Sequence, residues 1–193
     1  MRALFWCATL GGLAWFFAGT VRGGNPRTYA VRCRPAARIR AAETAAVLAY
    51  ITVLMLGWDF PLTPWPERAA WAGVVLAIAG VALAVWSRRT LQTNFTVTLG
   101  IKSDHRLITE GPYRRVRHPI YTGFLMQFAG GALLYNSGVT LVLLALLFCL
   151  LFYWQSVEEE KLLEQRFGDA YRRYRMAAGR LLPRLIPGGQ PHG

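Results

Sequence analysis

Residues 3–21 carry no charge, and four further apolar runs follow at 42–60, 69–87, about 119–135 and 139 to about 154. A helix crossing a bilayer needs roughly 20 mostly apolar residues, so repeated runs of this length leave a bundle of membrane helices as the expected fold. Composition agrees: 54% of residues are apolar and 17% charged, yet the net charge is +12. Soluble domains carry about a quarter charged residues. Nucleic-acid binders combine basicity with high overall charge, so no nucleic-acid partner is expected; the lipid bilayer is.

The first run competes with a signal peptide, but one arginine precedes it and no clean A-x-A site follows. The second run is interrupted only near its ends, by Glu43 and Asp59, and DFPLTPWPER stops both it and the third. The turn NSG joins the last two runs, which predicts an antiparallel hairpin. Six arginines fall in 22–40, seven basic residues in 88–118 and seven in 155–193, against Arg2 and Arg68 elsewhere. With five spans, twenty of the 22 positive charges lie on one face; a four-span arrangement would divide them. The positive-inside rule then places the N-terminus outside and the C-terminus in the cytoplasm. The fold class expected is an all-α integral membrane protein with five transmembrane helices and a C-terminal amphipathic cytoplasmic helix. Its compact loops suggest a bacterial inner membrane. Residues 1–87 would supply three N-terminal helices and 88–193 a functional half.

Cys7, Cys33 and Cys149 have no metal-ligand spacing, so isolated reduced thiols and no metal are expected. Chemistry instead concentrates in two polar segments around the hairpin. In the first, LQTNFTVTLGIKSDHRLITEGPYRRVRHPIYTG, Pro119 suits the first turn of a helix. Free N–H groups there, with Arg117 and His118, would favour an anion. In the second, YWQSVEEEKLLEQRFGDAYRRYRMAAGRLLP, Leu163, Phe167, Tyr171 and Tyr174 recur at helical steps. Lys161, Arg166, Arg172, Arg173 and Arg175 lie opposite, as for a helix resting on anionic headgroups. Glu158, Glu159 and Glu160 sit just below the membrane exit, where carboxylates need a cationic partner. A ligand carrying both a carboxylate and a positive charge would suit both segments; S-adenosylmethionine is one such zwitterion, and spacing alone does not select it.

The ordered pieces LQTNF, HRLITEGPYRRVRHPIYTG, EEEKLLEQRFGDAYRRY and RLLP resemble the isoprenylcysteine carboxyl methyltransferase family, membrane enzymes related to phospholipid N-methyltransferases. The resemblance covers roughly 88–187. It implies S-adenosyl-L-methionine held under a C-terminal cytoplasmic cap. Matched position by position, it assigns cofactor contacts to His105, Arg106, Leu107, Ile108, Tyr113, His118, Pro119, Ile120, Tyr121 and Glu159, with a further contact near Thr98 or Leu99. Glu159, His118 and Tyr121 become the catalytic candidates. Where eukaryotic relatives carry an arginine implicated in catalysis, the matching place here is near Gln155, beside Trp154 and Ser156.

Plainer readings stand beside these. His118 alone fits an interfacial histidine, and Tyr113 and Tyr121 fit a headgroup belt. Arginines 114, 115 and 117 fit topology and lipid contact first. Glu158 and Glu160 are expected to be solvated or paired with Lys161 and Arg166, and Tyr171 and Tyr174 to pack the cap. The reaction expected is transfer of a sulfonium methyl to a lipophilic or prenylated acceptor. An already ionised carboxylate would need no base, whereas an amine or thiol would. A phospholipid-type N-methyltransferase, an NADPH-dependent sterol-reductase-like enzyme and a non-enzymatic membrane protein remain as alternatives.

Overall fold

The computed structural model describes residues 1–18, 29–32, 44–46, 48–49, 51–53, 66–95, 100–102, 106–135 and 139–184. It is built of helices: α1 Arg2–Ala18, α2 Thr44–Val53, α3 Glu67–Leu91, α4 Pro119–Leu134, α5 Val139–Phe167 and α6 Asp169–Ala177. Single 3-10 turns at Gln92–Asn94 and Gly111–Arg114 connect them. To this helical plan the structure adds one short ribbon: β1 Tyr29–Arg32 pairs antiparallel with β2 Gly100–Lys102, Val31 opposite Ile101. Most of the second apolar run, DFPLTPWPER up to residue 65, the NSG turn and Cys33 lie outside the described residues.

Two helices among the described residues are long and apolar enough to cross a membrane, Glu67–Leu91 and Val142–Phe167 within α5. At 1.5 Å per residue the 25-residue α3 runs about 37 Å, more than the ~30 Å hydrocarbon layer. Its sequence suits its ends, with Glu67 in the first turn and Arg88 and Arg89 in the last, against the helix dipole. The outward faces of α3 and α5 remain apolar: Trp71, Val75, Ile78 and Trp86 on one, Leu143, Leu146, Leu147, Leu150 and Trp154 on the other are all exposed. Contiguous apolar surface of this kind needs an apolar neighbour, and lipid supplies it.

The hairpin expected between the last two spans is not the tightest pairing in the molecule. α4 packs more extensively on α3 than on α5. The cause is small residues. A Cβ added at Gly130 would stand 2.5 Å from the Gly73 carbonyl oxygen, and one at Gly73 would meet the Gly130 oxygen at the same distance. Gly80 and Gly123 repeat the contact seven residues along, with Ala77 buried against Gly130 and Ala84 against Gly123. Backbones this close gain dispersion contacts that lipid tails cannot supply. Phe128 and Leu134 of α4 share a core with Phe5 and Phe148, and Trp6 donates to the Tyr135 hydroxyl at 2.7 Å.

α5 does not end where the hydrocarbon run ends. It continues unbroken to Phe167, so the three glutamates lie on the same rigid helix as the apolar span. The chain then bends at Gly168, whose φ of +53° is a left-handed conformation that favours glycine. The amphipathic stripe read as one helix is therefore split, Leu163 and Phe167 on α5, Tyr171 and Tyr174 on α6. Glu164 braces the bend, accepting from Arg172 at 2.9 Å and Arg175 at 3.0 Å.

Candidate active site

Three segments converge where α5 leaves its apolar run. The first is the turn Gly111–Arg114 with residues 115–118, leading into α4. The second is the glutamate-bearing turn of α5. The third is α6 with the stretch 178–182 after it. Backbone bonds zip the first to the third: Arg117 N donates to Gly179 O at 2.8 Å, His118 N to Arg180 O at 3.0 Å, and Gly179 N to Arg115 O at 3.0 Å. The Thr122 hydroxyl adds a bond of 2.6 Å to Leu181 O. RLLP thus forms one wall of the site.

Glu160 lies at the centre, 4% exposed. Its Oε1 receives Arg117 Nε at 3.0 Å and Arg180 Nε at 2.9 Å, with His118 Nε2 at 3.2 Å, while Oε2 receives Arg180 Nη2 at 2.9 Å. This corrects the expectation that Glu160 is solvated or paired with Lys161 or Arg166. Only Glu158 behaves so, taking Lys161 Nζ at 2.7 Å. The reason is helical phase: Phe148, Phe152, Ser156 and Glu160 follow one another at steps of four, and that row faces inward. Arg117 corrects a second expectation, since its guanidinium is occupied internally. Besides Glu160 it donates to Arg175 O and Ala178 O, capping the end of α6. The anion that the start of α4 attracts is the protein's own.

Glu159, the neighbouring residue, keeps 31% exposure on its side chain. Tyr121 donates to its Oε1 at 2.5 Å, and His118 Nδ1 lies 3.2 Å from its Oε2. One imidazole therefore spans two successive carboxylates, which needs both ring nitrogens as donors. Burial pushes the His118 ring toward its neutral form, but the bonds and charges of Glu159 and Glu160 outweigh it and raise its pKa above the ordinary histidine value. The ring stacks on Tyr121 at 5.6 Å and 7°, and Tyr121 on Phe152 at 5.1 Å and 3°. A protonated ring on an aromatic face gains further from the cation–π interaction.

Tyr113, like Tyr171 in the cap, carries a buried hydroxyl with an unmet hydrogen bond. It is 6% exposed, and its hydroxyl has no hydrogen-bond partner among the described residues. Burial, then the charges of Glu159 and Tyr174, hold its pKa well above 10, so it stays a neutral O–H at physiological pH. Its backbone carbonyl accepts from the Tyr174 hydroxyl at 2.7 Å. A buried hydroxyl left unpaired costs about 1–3 kcal/mol, and a ligand beside Glu159 would recover that. Tyr171, wholly buried, packs the cap as expected.

The residues singled out in the sequence divide accordingly. Tyr121, His118 and Glu159 are joined directly. Pro119 and Ile120 are buried in the first turn of α4. Arg106, Leu107 and Ile108 form an irregular stretch before the site; the Arg106 amide donates to Asn94 Oδ1 at 3.0 Å, and among the described residues no bond ties the three to Glu159. His105, Thr98 and Leu99 lie outside the described residues. Gln155 is half-buried, with Trp154 exposed beside it and Ser156 turned inward onto Tyr153 O. Sequence reasoning missed Glu160, Arg117 and Arg180 as the structural centre. The inward row ending at Glu160 was the signal available.

Comparison with known proteins places this arrangement. A family model described as phospholipid methyltransferase matches residues 69–170. The protein-S-isoprenylcysteine O-methyltransferase of Schizosaccharomyces pombe is 38% identical over 84 residues, 44% of this chain and 35% of that protein. The probable protein-S-isoprenylcysteine O-methyltransferase of Oryza sativa subsp. indica is 30% identical over 135 residues, 69% of each chain. The Rattus norvegicus enzyme is 32% identical over 146 residues, 70% of this chain and 51% of that one. Among solved structures, the eukaryotic intramembrane Ras methyltransferase, an isoprenylcysteine carboxyl methyltransferase, shares the fold with a TM-score of 0.59 at 23% identity. That alignment covers 82% of this chain and 56% of the other. The chain thus spans between about a third and two thirds of these relatives' lengths.

Proposed function

The chain belongs to the isoprenylcysteine carboxyl methyltransferase family, and from that premise we propose that it is an integral membrane methyltransferase using S-adenosyl-L-methionine. Its acceptor is lipophilic, best matched by the carboxylate of an isoprenylcysteine-like group. The observation that carries this reading is the presence of a partly exposed Glu159 together with the unpartnered, buried Tyr113 hydroxyl under the cap formed by α6 and RLLP. Charge on Glu159 suits a cationic or multiply donating ligand; the Tyr113 hydroxyl suits a polar one. A nucleoside carrying an amino acid and a sulfonium offers both.

Glu159, Tyr121 and Tyr113 would hold the donor, with His118 fixing Glu159 and Pro119 and Ile120 forming the apolar side. His105, Arg106, Leu107 and Ile108 complete the set by motif position. When bound, S-adenosylmethionine supplies an electrophilic methyl on a sulfonium. The chain's own part is positioning and exclusion of water. A carboxylate acceptor is ionised at neutral pH, so the site needs no base, and a low dielectric favours a transfer that neutralises both charges. Glu159 and His118 hold each other.

The architecture we infer has five spans, with 1–87 as the N-terminal three and 88–193 as the catalytic half. The ribbon between β1 and β2 supports it, because five spans put residues 29–32 and 100–102 on one membrane face. The N-terminus would lie outside and the active site in the cytoplasm of a bacterial inner membrane.

Calorimetry on the purified protein separates the readings. Binding of S-adenosylhomocysteine without NADPH supports the proposal; NADPH binding alone, or neither, refutes it. The family model's description favours one second reading, N-methylation of a phospholipid. Labelled methyl appearing as a base-labile ester on a farnesylated cysteine derivative decides for the first; label on phosphatidylethanolamine decides for the second.

A further inference from the structure

Glu160 is buried, yet among the described residues no other carboxylate of the site accepts so many bonds. We infer that Glu160 is a positioning residue that fastens the C-terminal cap and orients His118, so that Glu159 is presented to the methyl donor. The inference rests on the donor reading above.

The geometry divides the labour between two adjacent carboxylates. Both oxygens of Glu160 are engaged, Oε1 by Arg117, Arg180 and His118 and Oε2 by Arg180. It joins the loop before α4 to the stretch after α6, and both to α5. Remove its charge and two guanidiniums face each other across a buried space, with the backbone bonds and those of Thr122 and Arg117 to main-chain carbonyls left to hold the wall. Glu159 is held on one side by Tyr121 and His118 and open on the other. The two glutamates communicate through one ring, 3.2 Å from each.

Charges around His118 make this coupling directional. Glu159 and Glu160 face it from α5, Arg117 stands beside it on its own loop, Arg180 reaches the same carboxylate from the C-terminal stretch, and the Tyr121 ring of α4 covers its face. With Glu160 ionised, the two carboxylates favour the imidazolium, and Nδ1–H is then available to Glu159. With Glu160 neutral, two cations and one anion surround the ring, and it loses its proton at lower pH. Glu159 then faces a neutral imidazole in place of an imidazolium, a weaker donor, although Glu160 never meets the ligand.

The test measures S-adenosylhomocysteine affinity of the full chain in nanodiscs across pH, for the native sequence and Glu160→Gln. Weakening by about tenfold or more near pH 8, largely recovered near pH 5.5 where the ring is protonated again, supports the inference. Equal weakening at every pH means a merely structural role and overturns it, as does an unchanged profile. If Glu160→Gln fails to fold, the native protein still decides. It has three histidines, so the His118 Cε1 resonance can be assigned against His118→Gln and followed by NMR. A midpoint above that of an ordinary histidine, about 6.5, supports the inference; a midpoint at or below it overturns it. Native protein that binds no S-adenosylhomocysteine refutes the donor reading instead, and the NMR titration remains decisive for the bridge.

Discussion

The α3–α4 interface and the cluster around Glu160 are both tight contacts between distant parts of the chain, made by opposite means. The first contains no charge: Gly73 meets Gly130 and Gly80 meets Gly123, and the gain is backbone proximity. The second is almost all charge, two guanidiniums and an imidazole on one buried carboxylate. Lipid makes the difference intelligible. Apolar side chains gain little by leaving lipid for protein, so the spanning helices associate through shape. At the membrane surface, a chain that must close over a polar ligand needs bonds with direction, and Glu160 accepts four, two of them from Arg180 of the cap. The first region should therefore be indifferent to pH and salt, and the second should not.

Arg117→Ala strikes the charged region hardest. It leaves Glu160 short of a partner and the end of α6 uncapped, with an expected loss of about 3–5 kcal/mol. Thermal unfolding in micelles checks this, and a change under about 1 kcal/mol would show the cluster to be incidental. Gly130→Val breaks the other region. Its Cβ stands 2.5 Å from a backbone oxygen that no rotamer change can move away, and about 3 kcal/mol should be lost at every pH tested. A pH-dependent loss there would erase the contrast.

Glu159→Gln sharpens the division within the charged region. It should leave the unfolding temperature nearly unchanged while lowering S-adenosylhomocysteine affinity by about 10–100-fold, as for a hydrogen bond to a charged group. Unchanged affinity would remove Glu159 from the site. The smallest effect is the pH dependence of stability itself. The folded pKa of His118 is raised, so its stabilising contribution is complete below about pH 6.5, the unfolded value, and is lost as pH rises through the folded value. Native stability should fall across that window, and His118→Gln should flatten the curve. An equally steep curve in that variant would point to another group.

The sequence makes some of this legible and hides the rest for identifiable reasons. Pro119 marked the start of α4 because its missing N–H costs nothing there, and the apolar run over 69–87 marked α3 by length. Glu159, Tyr121 and His118 were legible as parts of ordered motifs, and the structure bonds them to one another. Glu160 was hidden in EEE because composition cannot say which of three carboxylates a helix turns inward. Arg117 was hidden among Arg114 and Arg115, which are exposed while it is buried. That α4 packs more extensively on α3 was hidden because proximity in sequence points to α5, whereas Gly73, Gly80, Gly123 and Gly130, spaced by seven on each helix, favour α3. The bend at Gly168 was passed over because the apolar stripe keeps its period across it.

An experimental structure of the protein with S-adenosylhomocysteine bound meets the central claim head on. The account predicts density against the open side of Glu159, the Tyr113 hydroxyl newly bonded to it, and Glu160 still holding Arg117 and Arg180. Ligand seated away from Tyr113 and Glu159, or Glu160 turned from its arginines onto the ligand, would contradict it.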